Sequence, residues 1–124
     1  MVEGEVHISR SDQLLQLMYK PVGEMLAGSI DVSSIGKEGA FVYGIEGENV
    51  WYFNRLFVPV KLRNRGIASK LLEKLLEVMK RDGMTVVLEI NPYGDLNLRE
   101  LRELYMRYGF KKTRGEYLIY TPEE

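Results

Sequence analysis

The chain has 124 residues, the size of one domain, and we expect residues 1–124 to form a single domain. It contains no cysteine and one histidine, His7, which excludes disulfides, thiolate metal ligands and two-histidine zinc sites; no metal site is expected, and a Ser-His-Asp triad is disfavoured. The net charge of −1 argues against a polycationic nucleic-acid binder, and the lack of a long apolar run or a signal peptide predicts a cytoplasmic protein outside the membrane.

The N-terminal half of the sequence predicts four strands and one short helix. The stretch "EVHI" is typical of a short strand. "SDQLLQLMYK" offers Ser11 or Asp12 as a helix cap, is rich in leucine and stops before Pro21, which predicts a short helix. "AGSIDVSS" places Ile30 and Val32 on one face and predicts a strand. Alternating apolar residues on both sides of the turn "EGEN" predict a hairpin over residues 40–58.

The second half predicts a long helix, a strand, a helix and a final hairpin. Apolar residues recur at helical spacing from Ile67 to Met79, and Gly83 follows as a stop signal. "TVVLEI" predicts a buried strand, "LNLRELRELYMRY" a helix, and "FKKTRGEYLIY" a hairpin that turns near Gly115. The order β-α-β-β-β-α-β-α-β-β includes a parallel strand pair joined by a right-handed crossover, and the flanking hairpins make the class α+β.

The start of the long helix is unusual because it is basic. Five basic residues and no acid lie between residues 55 and 70: Arg55, Lys61, Arg63, Arg65 and Lys70. A helix N-terminus presents unpaired N–H groups and a partial positive charge, and Gly66 would let a phosphate approach the backbone closely. We therefore predict a pyrophosphate site here. Spacing alone leaves open the alternative of a glycine-containing connection with solvated arginines.

Two motifs resemble those of the GNAT superfamily of acetyl-CoA-dependent N-acyltransferases. "LFVPVKLRNRGIASKLL" resembles its acetyl-CoA-binding motif, R/Q-x-x-G-x-G/A, through Arg63, Gly66 and Ala68. "LRELYMRYGFKKT" is similar to its second motif, in which a tyrosine-bearing helix runs into a Tyr-Gly-Phe turn. The resemblance covers about residues 40–120. It implies a GNAT-like α+β fold, with helices flanking a mixed central sheet of about six to seven strands that is splayed at the cofactor site.

The resemblance also implies acetyl-CoA as co-substrate and assigns residues to it. The pantetheine arm would pair with the backbone of Leu56, Phe57 and Val58. The pyrophosphate would be held by the backbone amides of Arg63, Asn64, Arg65, Gly66, Ile67, Ala68 and Ser69. Asn97, near the start of the second-motif helix, would contact the cofactor, but it is one place away from the usual position, so Asn91 is an alternative.

In the chemistry that the resemblance implies, an amine attacks the thioester directly. Tyr105 matches the residue that protonates the leaving thiolate; the alternative is a packed core tyrosine. The backbone amide near Val58 would donate to the oxyanion. Glu89, an acid in an otherwise apolar strand beside the expected gap, is the candidate general base, with an arginine ion pair as the alternative. Tyr52 stands near the position where some family members carry an acid.

The predicted function is N-acetyl transfer from acetyl-CoA to a primary amine of a small molecule or a protein. A non-catalytic acyl-CoA sensor or interaction module on the same fold is the alternative, because Tyr52 replaces an acid and the acceptor cover shrinks to one short N-terminal helix. A nucleic-acid binder using the basic stretch is disfavoured by the acidic balance of the chain. A homodimer could complete the thin N-terminal cover.

Overall fold

The computed structural model describes residues 4–21, 28–59, 66–90 and 97–122, and its strands form one seven-stranded sheet in the order β1-β2-β3-β4-β5-β7-β6. The strands are β1 (Gly4–Arg10), β2 (Leu14–Pro21), β3 (Gly28–Ser34), β4 (Val50–Phe57), β5 (Thr85–Glu89), β6 (Lys111–Lys112) and β7 (Tyr117–Tyr120). The helices are α1 (Gly36–Val42), α2 (Ile67–Asp82) and α3 (Leu98–Met106). Strands β4 and β5 are parallel and the other neighbouring pairs are antiparallel, which confirms the predicted mixed sheet and α+β class.

Helix α2 forms the crossover between the two parallel strands, as predicted. Its apolar stripe is buried, with Leu71 and Leu75 both 0 % exposed. Burying each such side chain contributes roughly 1.5–3 kcal/mol. The helix ends where Gly83 takes a left-handed conformation, φ 61°, and its N–H bonds back to the carbonyl of Met79. Sequence periodicity and its stop signal therefore located this helix correctly.

The two faces of the sheet are covered unequally. Helices α2 and α3 pack on the face that carries Trp51, Phe53 and Leu88, in one large core cluster. The opposite face carries Val50 and Val87 in a small cluster with Ala40 of α1. Within the described ranges this second face is thinly covered, because α1, the helix on it, has only seven residues.

The helix predicted within residues 11–20 is wrong, because this segment forms the end of a hairpin and strand β2. Leu15, Leu17 and Tyr19 are all 0 % exposed, and this alternation fits a strand between β1 and β3. Ser11, the expected helix cap, closes the hairpin turn instead, since its hydroxyl accepts from the backbone N–H of Leu14 at 3.1 Å. Serine favours both arrangements, so the local signal was ambiguous.

The hairpin predicted over residues 40–58 is also wrong in its first arm, because residues 40–42 end helix α1 and residues 43–49 form no strand. Ala40 is buried while Phe41 and Val42 are 83 % and 79 % exposed, so the apolar run does not alternate between two faces of a sheet. The correct order is β-β-β-α-β-α-β-α-β-β, and the short helix before β4 lies between β3 and β4. No helix within the described ranges is both long and apolar enough to cross a bilayer.

Candidate functional site

A cleft opens where strands β4 and β5 part. Their parallel pairing runs from Val50 opposite Thr85 to Phe53 opposite Leu88. Strand β4 then continues to Phe57, whereas β5 ends at Glu89. A cavity of about 320 Å³ lies beside this continuation and is lined by residues 53–57, Glu89, Ile90, Leu101 and Tyr105. This is the splay that the resemblance implied.

A β-bulge lies at the point where the two strands part. Val32 of β3 faces Phe53, but the next pair is Asp31 with Arg55, so Asn54 is an extra residue on β4. The Asn54 side chain donates to the hydroxyl of Ser33. A bulge bends the strand that carries it and increases its twist, which turns the end of β4 away from β5. After the bulge, Leu56 rather than Arg55 packs in the core with Phe53.

The first turn of α2 begins at Gly66, the predicted phosphate-binding glycine. Gly66 has φ 78°, a left-handed conformation that disfavours other residues, and a Cβ there would meet no described atom within 4 Å. Among the described residues, no side chain caps this helix start and no acid lies in its first turn. Ile67 is buried and anchors the turn, while Ala68 and Ser69 are half-buried. Arg63, Asn64 and Arg65 lie outside the described residues.

Gly28 is a structural residue of this region that sequence reasoning missed. A Cβ at Gly28 would lie 3.0 Å from Cγ2 of Ile67 and 3.1 Å from the carbonyl oxygen of Phe57. The missing side chain therefore lets the start of α2 pack closely on β3 beside the end of β4. A glycine beside a predicted strand, in "AGSI", was the available signal.

Helix α3 places Tyr105 on the wall of the cleft. Tyr105 is 4 % exposed, and its ring meets that of Phe53 edge-on with centroids 5.4 Å apart. It is thus a packed residue that also borders the cavity. Asn97 caps the same helix, since its Oδ1 accepts from the N–H of Glu100 at 2.9 Å. Asn91, the alternative cofactor contact, lies outside the described ranges.

Glu89 lies at the end of β5 beside three tyrosines from distant parts of the chain. Its Oε1 accepts a hydrogen bond from the hydroxyl of Tyr43 at 2.8 Å. The Tyr117 hydroxyl donates to the Tyr43 carbonyl at 3.0 Å, and the two rings meet edge-on at 5.1 Å. Tyr52 stacks on Tyr43 with centroids 6.4 Å apart. Among the described residues, the partner of Glu89 is therefore a tyrosine of this cluster rather than an arginine.

Tyr43 and Tyr52 are neutral phenols at physiological pH. Burial, followed by the hydrogen bond to Glu89 and the charge of that residue, raises the pKa of Tyr43 to about 12. Burial and the same carboxylate also raise the pKa of Tyr52. Neither phenol is a base near pH 7, so Tyr52 does not replace the missing acid of β4 in that role. Glu89 is the carboxylate that borders the cleft.

A second, larger cavity of about 800 Å³ adjoins the cleft and shares Glu89 and Ile90 with it. We call it the charged cavity. Its lining comes from the start of α3 and from the β6–β7 hairpin, with Leu98, Arg102, Lys112, Thr113, Gly115, Glu116, Tyr117 and Leu118. Within the described part of the chain, no three His, Asp or Glu side chains converge where a metal ion could bind.

Known sequences and structures share features with this chain. Residues 29–89, which include both strands of the cleft and the whole of α2, match the family model described as GCN5-related N-acetyl-transferase. None of the curated proteins has a significantly similar sequence.

Solved structures with the same fold include several acetyltransferases. A GNAT family N-acetyltransferase (YhbS) from Escherichia coli, in complex with CoA, is 15% identical with a TM-score of 0.69, over 98% of this chain and 82% of that one. Arabidopsis thaliana NAA60, in complex with a bisubstrate analogue, is 18% identical with a TM-score of 0.68, over 91% and 78% of the two chains.

A Brucella melitensis GNAT family acetyltransferase in complex with acetyl-CoA is 22% identical with a TM-score of 0.61, over 89% of this chain and 59% of that one. These similarities establish the fold, and residues 29–89 carry the sequence pattern of the family. The resemblance predicted from the sequence is thereby confirmed: residues 29–89 match the family model, and the fold is that of GNAT acetyltransferases.

Proposed function

We propose that this protein transfers the acetyl group of acetyl-CoA directly to a primary amine. The observation that supports this most is the cleft itself. It opens beyond a parallel strand pair and has Tyr105 and Glu89 on its walls. The structural neighbours from E. coli and B. melitensis, which were crystallised with CoA and acetyl-CoA, support the choice of co-substrate.

Acetyl-CoA would be held mainly by backbone. Its pantetheine arm would run along Leu56, Phe57 and Val58, at the end of β4 beyond the pairing with β5. Its pyrophosphate would meet the first turn of α2 at Gly66, Ile67, Ala68 and Ser69, with Arg63, Asn64 and Arg65 contributing as the sequence predicts. Asn91 and Asn97 stay predicted contacts. Because Oδ1 of Asn97 accepts the capping hydrogen bond of α3, its side-chain NH₂ group is the one that would donate to the cofactor.

The transfer step uses the two side chains on the cleft walls. Glu89 accepts a proton from the acceptor ammonium, and the neutral amine then attacks the thioester carbonyl carbon. The backbone amide near Val58 is the predicted donor to the oxyanion. The C–N bond forms, the nitrogen loses its second proton to water, and the C–S bond breaks. The Tyr105 hydroxyl protonates the departing sulfur and then regains a proton from water. The products are an N-acetyl amine, CoA as its thiol and one released proton.

Calorimetric titration with CoA, followed by a thiol-release assay with acetyl-CoA and a panel of primary amines, tests this proposal. We expect saturable CoA binding and much weaker binding of pantetheine, which lacks the pyrophosphate. Absence of saturable CoA binding would contradict the whole assignment. Tight CoA binding without thiol release for any amine would instead favour the acyl-CoA sensor. The cytoplasmic location, the single domain and a homodimer stay predictions from the sequence.

A further inference from the structure

The charged cavity carries both signs of charge, and its charged groups do not neutralise one another. Glu89 and Glu116 are exposed carboxylates, Lys112 is exposed and Arg102 is half-buried. Among the described residues, none of these four forms an ion pair within 4.0 Å; the ion pairs present join Arg10, Arg81 and Asp82, Lys74 and Glu77, and Arg99 and Glu103. The cavity thus presents separated positive and negative groups to whatever enters it.

The part of the cavity lining that the cleft does not share has a net positive charge. Glu89 is the only one of the four charged residues that also lines the acetyl-CoA cleft. The other part of the lining contains two cations, Arg102 and Lys112, and one carboxylate, Glu116, a net charge of one positive. A ligand that matches this pattern carries its positive group at the cleft and a negative group toward α3 and β6.

We propose that the acceptor is a small zwitterion that carries a primary amine and a carboxylate, as an amino acid does. This inference rests on the proposed function, because the ammonium must reach the thioester. Glu89, whose Oε1 accepts a hydrogen bond from Tyr43, binds the ammonium and receives its proton. Arg102 and Lys112 bind the carboxylate, for which a guanidinium offers two parallel N–H donors. The apolar body packs on Leu98, which is 42 % exposed at the start of α3.

Four probes with the same aromatic ring separate these charges. The protein, saturated with CoA, is titrated by calorimetry or NMR with L-phenylalanine, L-phenylalaninamide and 3-phenylpropionate. The dipeptide glycyl-L-phenylalanine tests a longer spacing between the two charges. We expect one of the two zwitterions to bind roughly tenfold more tightly than the amide or the acid, as expected for two partly exposed ionic contacts. Equal affinity for the zwitterions and the amide, or no binding of any probe, would overturn the inference.

Paired double variants test the named cations. Arg102→Gln with Lys112→Gln should lower the affinity for the preferred zwitterion roughly tenfold and leave that for phenylalaninamide unchanged. The control, Arg99→Gln with Lys111→Gln, removes the same charge from the same helix and strand outside the cavity lining and should change neither. An unchanged affinity for the zwitterion in the first double variant would contradict the inference. A loss of CoA affinity there would do so as well, since it would assign the two cations to the cofactor.

Binding and turnover separate this inference from the proposed function. Selective binding of a zwitterion without thiol release from acetyl-CoA would keep the acceptor-site inference and remove the transferase. Thiol release with phenethylamine, phenylalaninamide and phenylalanine at equal kcat/KM would keep the transferase and overturn the zwitterion preference.

Discussion

At the scale of single residues, the hydrogen bond between Tyr43 and Glu89 couples the thinly covered face of the sheet to the cleft. Tyr43 follows α1, whereas Glu89 ends β5. The Tyr43 hydroxyl donates a hydrogen bond to Oε1 of Glu89. The bond fixes the direction of the carboxylate that we propose as general base. Tyr52 and Tyr117 pack on the ring that makes it.

This contact should be visible in the titration of Tyr43. We expect Glu89→Gln to lower the pKa of Tyr43 from about 12 toward its ordinary value of 10.0, because the hydrogen bond to the carboxylate and its charge both raise it. The decrease should be incomplete, since burial is the largest cause and stays. NMR of the Tyr43 Cζ as a function of pH measures it. Glu116→Gln is the control, and an equal shift in both variants would mean that the Tyr43–Glu89 contact is not responsible.

Tyr105→Phe tests the other wall of the cleft. The variant keeps the ring that packs on Phe53 and removes only the hydroxyl. We expect kcat to fall roughly 10²-fold, the low end for a general acid, while acetyl-CoA affinity barely changes. Tyr108→Phe, a nearby tyrosine that does not line the cleft, should keep wild-type turnover. Unchanged turnover in Tyr105→Phe would remove this residue from the mechanism.

At the scale of elements, helix α2 offers an internal comparison, because glycines with positive φ lie at both of its ends. Gly66 precedes it with φ 78° and Gly83 follows it with φ 61°, and a Cβ at either would meet no described atom within 4 Å. Only Gly66 lies at the positive end of the helix dipole, where a pyrophosphate would bind. Their effects on stability should therefore be alike and their effects on cofactor binding should differ.

We expect Gly66→Val and Gly83→Val each to lower the free energy of unfolding by about 1–2 kcal/mol, the penalty for a left-handed residue with a side chain. Denaturant titration measures this change. Calorimetry with CoA should then show binding abolished in Gly66→Val alone, because the side chain would block the approach of the phosphate to the backbone. Wild-type affinity in Gly66→Val would show that the phosphate assignment is wrong.

At the scale of the whole molecule, an ion pair joins the first strand hairpin to the helix layer. Arg10 of β1 donates to Asp82, the last residue of α2, and Arg10 also lies 5.7 Å from the ring centroid of Trp51. Hydrogen bonds from Arg81 and then Arg10 lower the pKa of Asp82 below its ordinary value of 3.8. The hairpin and the C-terminal end of α2 are therefore held together by a titratable contact.

This contact gives the stability of the protein a dependence on acid. Because the pKa of Asp82 is lower in the folded than in the unfolded state, its contribution is complete above the ordinary value of 3.8 and is lost as the pH falls through the lowered value. We expect Asp82→Asn to flatten the fall in the free energy of unfolding below pH 3.8, measured by denaturant titration. Arg10→Gln should flatten this fall less, because the hydrogen bond from Arg81, the largest cause of the lowered pKa of Asp82, stays in place. An unchanged acid slope in Asp82→Asn would contradict this role.

The elements that the sequence predicted correctly have strong local signals that favour only one type of secondary structure. Helix α2 has six buried positions at helical spacing and a left-handed glycine after it, and β5 is a run of β-branched residues. Residues 14–20 and 40–45 carry apolar runs that fit either period. Pairing with β1 and β3 makes the N-terminal run a strand. Burial of Ala40 against the sheet goes with the helix in the other segment. Local preference was overridden by long-range contacts at both places.

The sequence alone determined the long helix, its basic glycine start and the tyrosine-bearing helix after β5, because backbone preference and apolar periodicity are properties of adjacent residues. Only the tertiary structure decided that a bulge at Asn54 turns β4 from β5, that Tyr43 reaches Glu89 across 46 positions of the chain, and that Arg102 and Lys112 line one cavity. Those contacts depend on strand order and packing, which join segments with no local signal in common.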